Sequence, residues 1–133
     1  MISNYNLKLG YKIWLEFENE NTENPVIGER KIELLKNIDE TGSIQKASES
    51  IGLDFKKAHE ILNDLQDSFW VEKLFTTERG RQGGTNLSLL ARTIIDLYAN
   101  LQSIIDPVFS KLNHCLSNDN HDIHECLEGI KVH

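Results

Sequence analysis

The stretch from Ser43 to Gln66, SIQKASESIGLDFKKAHEILNDLQ, has the pattern of two short helices joined by a tight corner. Ser43 is suited to cap the first helix, because a serine hydroxyl can accept a hydrogen bond from an amide that the first turn leaves unpaired. Gly52 would end that helix, since the residue just past a helix end often takes a left-handed backbone. The segment is therefore predicted to be a helix-turn-helix.

The second helix of this pair is predicted to have a core-facing side and a polar side. The positions at core-facing spacing are Phe55, Ala58, Ile61, Leu62 and Leu65. The outward positions include Lys56, Lys57, His59 and Asn63. Because such a second helix enters the DNA major groove, these outward residues and the capping Ser43 are the candidate DNA contacts. On these residues alone, an ordinary helical hairpin inside a core is the alternative.

A glycine-rich segment follows the two helices. Glu72 to Thr77 is short and β-prone, and ERGRQGGT from Glu78 to Thr85 is glycine-rich and basic. Residues 86–88 can return as a strand, which gives a hairpin whose tip contains Arg79 and Arg81. Glycine lets a backbone approach a phosphate or enter a narrow minor groove, and arginine supplies the charge. Both arginines are therefore candidate DNA contacts.

A strand and a helix are predicted ahead of the helix-turn-helix. Leu7 to Phe17 alternates apolar and polar residues, with Trp14 on the second face, which is typical of a half-buried strand. A lone strand is unstable, so this one requires a partner elsewhere in the chain or in another copy. Residues 25–26 lead into a helix predicted over Ile27 to Glu40, which Thr41-Gly42 ends.

The segment from Ser88 to Leu112 is predicted to be one long amphipathic helix or two in series. A seam with the three-four spacing of a coiled coil consists of Leu90, Ile94, Leu97, Leu101, Ile104 and Val108. A second apolar stripe consists of Ile95, Tyr98, Ile105, Phe109 and Leu112. One stripe can pack on the helix's own domain and the other on a partner, although one wide core-facing stripe is the alternative. Pro107, after the capping Asp106, is expected to kink or restart the helix.

These elements indicate a mainly α fold with a small β component. The expected architecture is a winged helix-turn-helix with a long C-terminal dimerisation helix. The expected domains are a DNA-binding domain with its N-terminal strand at 1–88, a dimerisation helix at 89–116 and a flexible tail at 117–133. The chain is expected to form a homodimer through the seam, to which the strand over Leu7 to Phe17 could add by pairing or packing across the dimer.

The C-terminal tail contains several residue types that bind soft metals. They are His114, Cys115, His121, His124 and Cys126. Their spacing matches no standard zinc module, and a polar, Asn/Asp-rich terminus is often flexible. They are therefore weak metal candidates, and no metal or other cofactor is assigned. Any metal held there would bind less tightly as the pH falls, because thiolates and imidazoles must be deprotonated to bind it.

The charge of the chain is unevenly distributed. The net charge is −7, which counts against a nucleic-acid binder. Between Asp54 and Arg92, however, six basic residues balance six acidic residues, and the excess acid lies near Glu16 to Glu23 and Asp119 to Glu128. Acidic ends could orient the neutral segment toward DNA by repelling DNA elsewhere, but they would also lower the affinity of one copy for DNA. This favours a binder that needs two copies.

Several classes of protein are not indicated by the sequence. It has no apolar run of membrane-spanning length and no signal peptide, so a cytoplasmic protein without a membrane partner is expected. Its two cysteines both lie near the C-terminus, so no disulfide framework for the fold is expected. No nucleophile motif, phosphate loop or spaced acid pair is present, and no enzyme activity is predicted.

The chain resembles the N-terminal DNA-binding domain of the ModE family of molybdate-responsive transcriptional regulators, whose winged helix is related to that of the LysR family. The similar region runs from Gly28 to about Leu101, with IDETGSI, the small pair Ala47-Ser48, Gly52 and the aromatic-Lys-x-Ala core of the second helix as its most recognisable parts. The resemblance implies a bacterial-type regulator that binds double-stranded DNA.

The chain departs from the family pattern at several positions. Asp54 and Phe55 stand where the family usually has Ser and Tyr, and His59 replaces a common Trp. The basic glycine run of the wing is interrupted by other residues. These changes put the operator sequence in doubt, and Asp54 is better read as a helix cap than as a phosphate contact. No β-alternation follows Leu112, so the usual molybdate-binding domains are expected to be absent and molybdate to leave DNA affinity unchanged.

Two functional hypotheses follow from the sequence. The first is a dimeric transcription factor that binds a palindromic operator, with genes of molybdate or tungstate uptake or related metal homeostasis as the targets implied by the resemblance. The second is a winged-helix module that binds protein and not DNA. The arginines of the wing and the resemblance favour the first, whereas the acidic net charge favours the second.

Overall fold

The computed structural model describes residues 7–16, 26–68, 73–78 and 84–117 of the chain. Its elements in chain order are β1 Trp14–Glu16, β2 Val26–Gly28, α1 Glu29–Thr41, α2 Ile44–Ser50, α3 Phe55–Ser68, β3 Phe75–Thr77, β4 Thr85–Leu87 and α4 Leu89–Ser117. β1 and β2 form one two-stranded antiparallel sheet, and β3 and β4 form another. The chain is therefore mainly helical with a small β component, as predicted from the sequence.

The chain divides into two units. The larger unit is Ile13–Tyr98, and the smaller one combines Met1–Lys12 with Ala99–His133. In the larger unit every helix contributes side chains to one core. That core contains Ile27, Ile32, Leu34, Leu35, Ile38, Ile44, Ala47, Ala58, Leu62, Leu65, Leu74, Leu87, Ala91, Ile94 and Tyr98.

The ends of the first two helices are fixed by glycine and serine, as the sequence predicted. Gly42 takes a left-handed backbone with φ of 68°, and its amide donates to the carbonyl of Ile38 at 2.7 Å. Ser43 then caps α2, because its hydroxyl accepts a hydrogen bond from the amide of Lys46 at 3.2 Å. Gly52, just past the end of α2, is also left-handed, with φ of 69°. These residues set the corners that separate α1, α2 and α3.

The N-terminal strand is shorter than predicted and has its partner in the same chain. Among the described residues of Leu7 to Phe17, only Trp14–Glu16 is a strand, and Phe17 lies outside the described ranges. Its antiparallel partner is Val26–Gly28, with Trp14 opposite Gly28 and Leu15 opposite Ile27. The predicted helix over Ile27 to Glu40 was therefore wrong at its start: the helix begins at Glu29, because the preceding residues complete this sheet.

Residues ahead of β1 bind the C-terminal half of α4 in the smaller unit. The backbone of Leu9 exchanges two hydrogen bonds with the Asn113 side chain, at 2.6 and 3.2 Å. The ring of Tyr11 stacks on Phe109 with centroids 3.9 Å apart, and its hydroxyl donates to Asp106. These contacts explain why the alternating pattern from Leu7 does not form a strand here, since its polar backbone groups and aromatic ring pair with a helix.

The long C-terminal helix runs through Pro107 without restarting and ends at Ser117, one residue past the expected end of the dimerisation helix at residue 116. Cys115 near its end is buried and disulfide-bonded, a feature that the sequence does not predict. The core of the larger unit contains no cysteine.

Among the described residues, no helix has the length and hydropathy needed to cross a membrane.

Candidate nucleic-acid interface

The corner between α2 and α3 is closed by backbone hydrogen bonds over a small-residue crossing. The amide of Leu53 donates to the carbonyl of Ser48 at 2.8 Å, and the amide of Gly52 donates to that of Glu49 at 3.2 Å. Ala47 and Ser48 are buried, so this small pair faces the interior. With Gly52 left-handed, the chain can turn sharply and start α3 from a fixed point.

The first turn of α3 projects from the core. Asp54, Phe55, Lys56 and Lys57 are all exposed, and burial begins at Ala58. The prediction that Phe55 points inward is wrong, because helical side chains lean toward the N-terminus and the first turn therefore extends past the core. We refer to residues 54–57 as the head of α3.

The predicted contact residues of α3 are distributed along its outer side. Lys56, Lys57 and Asn63 are exposed, whereas His59 is half-buried and its ring lies edge-on to Phe55. The Lys57 ammonium lies 3.9 Å from the Glu60 carboxylate in an exposed ion pair, which is weak and leaves the lysine able to change partner.

The charges on α3 are arranged against its dipole. Lysines 56 and 57 lie in the first turn, where the helix end is already positive, and Asp64 and Asp67 lie near the negative end. Basic residues in the first turn and acidic residues in the last are each unfavourable by about 0.3–1 kcal/mol at an exposed site. Helix stability therefore does not account for these lysines, whereas attraction of an anion to the head of α3 would.

Ser43 and Lys46 lie on the neighbouring helix. The Ser43 hydroxyl accepts from the Lys46 amide, so the main role of this serine is to cap α2. The Lys46 side chain is exposed and adds a third cation to the helix pair, which sequence reasoning missed. The sequence contains a signal for this lysine. Lys46 is the third residue after the N-cap Ser43 and therefore lies in the first turn of α2.

The β3–β4 hairpin is joined to the end of α1. The Thr85 amide donates to the carbonyl of Gly42 at 2.8 Å, and the Glu78 amide donates to the carbonyl of Gly84 at 2.8 Å. Phe75 is opposite Leu87 and Thr77 is opposite Thr85 in the antiparallel register. The predicted hairpin is thus confirmed at its strands, and its base is fixed to the larger unit. Its tip, with Arg79 and Arg81, lies outside the described residues.

Gly84 is required at the base of this hairpin. A Cβ at this position would lie 2.7 Å from the carbonyl oxygen of Gly42, a distance that real Cβ atoms do not tolerate. Because both partners are backbone, no side chain can move to relieve the clash. The base of the hairpin therefore depends on a residue without a side chain.

Replacing Gly84 with alanine is expected to lower the free energy of unfolding by about 1–3 kcal/mol, the usual cost of forcing extra atoms into a packed site. The measurement is a denaturant titration that compares unfolding midpoints. Gly10→Ala is the matched control, because nothing lies within 4 Å of a Cβ at Gly10. Equal unfolding midpoints for Gly84→Ala and Gly10→Ala would show that residue 84 does not approach Gly42 closely enough to require glycine.

The residues of the predicted dimerisation seam differ in their burial. Leu97 and Ile104 are each 49% exposed, whereas Leu90, Leu101 and Val108 are half-buried. Ile94 is 7% exposed and belongs to the core of the larger unit. Leu97 in the larger unit and Ile104 in the smaller unit are therefore each large apolar side chains open to solvent.

The weak metal candidates are only partly described. His114 is exposed, and Cys115 is committed to a disulfide, so its sulfur is not an available ligand. His121, His124 and Cys126 lie outside the described residues. Within the ranges that the structure describes, no three His, Cys, Asp or Glu side chains come together as a metal site.

Comparisons with known proteins show a distant similarity to a transcriptional regulator. No model of a known protein family matches the chain. Over 86 residues the chain is 34% identical to the transcriptional regulator ModE of Yersinia pestis, an alignment that covers 62% of this chain and 32% of that protein. The chain thus spans about a third of the length of this curated relative. The similarity supports a ModE-like transcriptional regulator, and no enzyme is indicated by it.

Proposed function

We propose that the chain is a DNA-binding transcriptional regulator with a winged helix-turn-helix. In this proposal α2 and α3 are the helix-turn-helix, and the head of α3 enters the major groove. The observation that carries the proposal is the exposed first turn of α3, with Lys56 and Lys57 held clear of the core beyond a corner that backbone hydrogen bonds close. A recognition helix contacts base edges with its N-terminal residues, so the cations lie at the end that such a helix uses.

The charge gradient along α3 supports this orientation. The exposed acidic residues Glu60, Asp64 and Asp67 follow the two lysines of the head, so phosphates attract the lysines and repel the later part of the helix. A net charge of −7 makes nonspecific binding weak, because the remainder of the chain also repels DNA. Affinity then depends on a small basic surface that must be correctly placed.

The β3–β4 hairpin would act as the wing. Its base is held at Gly42, the residue that ends α1, and α2 begins two residues later at Ile44. The hairpin and the start of the helix-turn-helix are therefore both attached at the end of α1. Arg79 and Arg81 would contact a phosphate or the minor groove from the wing.

We further propose that two copies associate through α4. Leu97 and Ile104 are seven residues apart and half-exposed, which is the spacing of a coiled-coil seam. A stripe of this kind can pair with the same stripe of a second copy, which gives a twofold dimer. A twofold dimer with one recognition helix per copy would bind a palindromic operator. The resemblance to molybdate-responsive regulators makes genes of molybdate or tungstate uptake the proposed targets.

The test is a mobility-shift assay on upstream DNA of neighbouring transport genes, with scrambled duplexes of the same composition as controls. The expected result is a retarded complex with one or more upstream fragments that scrambled competitor does not remove. The acidic net charge favours a module that binds protein and not DNA. Absence of a sequence-specific complex with any fragment at low salt would support that alternative and reject the proposal.

A further inference from the structure

An aromatic pair lies at the outer surface of α3. Phe55 is 47% exposed and is one of seven exposed large hydrophobic residues in the described ranges. Its ring contacts the imidazole of His59, one turn further along, with centroids 4.7 Å apart and planes at 70°. An edge-to-face contact of this kind is a favoured aromatic geometry, and it favours this orientation of the phenyl ring.

Neither packing in the core nor the stability of α3 accounts for an aromatic ring at position 55. The residues on each side of Phe55 in the head of α3 are charged and exposed, so the ring is an apolar group among Asp54, Lys56 and Lys57. The core contacts of α3 are made by Ala58, Leu62 and Leu65. Phe55 can therefore contact a partner surface that has an apolar group opposite the ring and negative charges opposite the neighbouring lysines.

The DNA major groove has this combination. The thymine C5-methyl is its apolar group, a phenylalanine side chain is among the groups that contact it, and the phosphates on each side attract lysines. We propose that Phe55 is a specificity-determining residue that packs on the C5-methyl of a thymine in each operator half-site, and that His59 is its positioning residue. This inference rests on the proposed DNA-binding function and extends it to the base that is read.

The expected discrimination follows from the size of one methyl group. Removing a buried methyl costs about 0.8 kcal/mol, which corresponds to about a fourfold loss of affinity for each thymine replaced by uracil. Uracil forms the same base pair as thymine and lacks only this methyl. The substitution therefore removes the proposed contact and leaves the hydrogen-bonding edges of the base pair unchanged.

The experiment begins with selection of an operator from random duplexes by the full chain. Each thymine of the selected operator is then replaced in turn by uracil, and affinity is measured by fluorescence anisotropy. For the wild type, at least one position is expected to show about a fourfold loss per methyl, and Phe55→Ala is expected to bind thymine and uracil duplexes equally at that position. Leu89→Ala is the matched control, because Leu89 is 81% exposed and lies outside α3.

The positioning role of His59 has its own readout. His59→Ala is expected to bring the thymine-to-uracil affinity ratio toward one, and His59→Phe is expected to restore it by supplying another aromatic ring. A merely structural histidine would instead change both affinities by the same factor. A ratio unaltered by His59→Ala would overturn the positioning role.

The remaining outcomes separate this inference from the proposed function. If an operator is selected but wild type and Phe55→Ala show the same response at every thymine, the thymine contact is rejected and DNA binding stands. If the full chain selects no sequence, the DNA-binding function itself fails, and the thymine contact fails with it. Thermal unfolding of each variant verifies that it is folded, which is expected because Phe55 is exposed.

Discussion

The double variant Lys56→Gln/Lys57→Gln is expected to bind the operator roughly a thousandfold more weakly than the wild type, since each of four contacts in a dimer contributes about 1 kcal/mol. Both lysines lie in the exposed head of α3, where nothing in the core depends on them. Fewer phosphate contacts also make binding less sensitive to salt. The measurement is anisotropy at several salt concentrations, from which both the affinity and the salt slope are obtained.

The same variant is expected to be no less stable than the wild type, with a gain of up to about 2 kcal/mol, because removal of two cations from the first turn outweighs loss of one exposed ion pair. Loss of the exposed Lys57–Glu60 pair destabilises α3, and removal of two cations from its positive end stabilises it. Lys36→Gln/Lys111→Gln removes the same number of exposed charges from other helices and serves as the control. If both double variants weakened binding equally, net charge and not the head of α3 would determine affinity.

The double variant Leu97→Glu/Ile104→Glu is expected to be a monomer at concentrations where the wild type is a dimer. Both side chains are 49% exposed in the isolated chain, so a second copy is needed to cover them. Burial of the exposed halves of four such side chains contributes roughly 4 kcal/mol to dimer formation, which is about a thousandfold in the dissociation constant. Four carboxylates in the seam would add repulsion. Sedimentation equilibrium measures the change directly.

A control for this prediction is available on the same helix. Leu89→Glu places one carboxylate at the exposed start of α4, outside the three-four seam, and is expected to leave the dimer intact. Operator affinity is expected to fall with the seam variant, because a monomer contacts only one half-site. A wild type that sediments as a monomer at micromolar concentration would remove the basis for the dimer.

Much of the helical fold could be predicted because its signals are local. The hydroxyl of Ser43 and the left-handed glycines 42 and 52 act within one turn of their own positions, and all three are found as expected. The hairpin strands were also predictable, because short β-prone segments flank a glycine-rich tip. These elements depend on neighbouring residues, which a sequence displays directly.

The errors arose where a distant partner determines the local structure. Val26–Gly28 is a strand because β1 pairs with it, although its residues also fit the start of a helix. The alternating residues from Leu7 to Lys12 contact α4 through Leu9 and Tyr11, about a hundred positions away in the chain. Alternation shows which side chains share a face, but it does not show whether the backbone pairs with a strand or a helix.

The candidate site was predictable in its charges but not in its aromatic residue. Lys56 and Lys57 were placed on the outer side because they interrupt the apolar positions of α3. Phe55 satisfies the same helical spacing as Ala58 and Leu62 and was therefore assigned to the core. Its exposure follows from its place in the first turn, where the core surface has already ended. The spacing of apolar residues shows which way a side chain points around the helix axis. It does not show how far along the helix the core surface extends.

The most direct test of the central claim, sequence-specific DNA binding, is the affinity of the full chain for its selected operator relative to a scrambled duplex at the same salt concentration. Anisotropy titrations of the two labelled duplexes give this ratio. The operator is expected to bind at least roughly a thousandfold more tightly, the lower end of the range for specific regulators. Equal affinities for the two duplexes would contradict it, because they would show that the head of α3 does not read sequence.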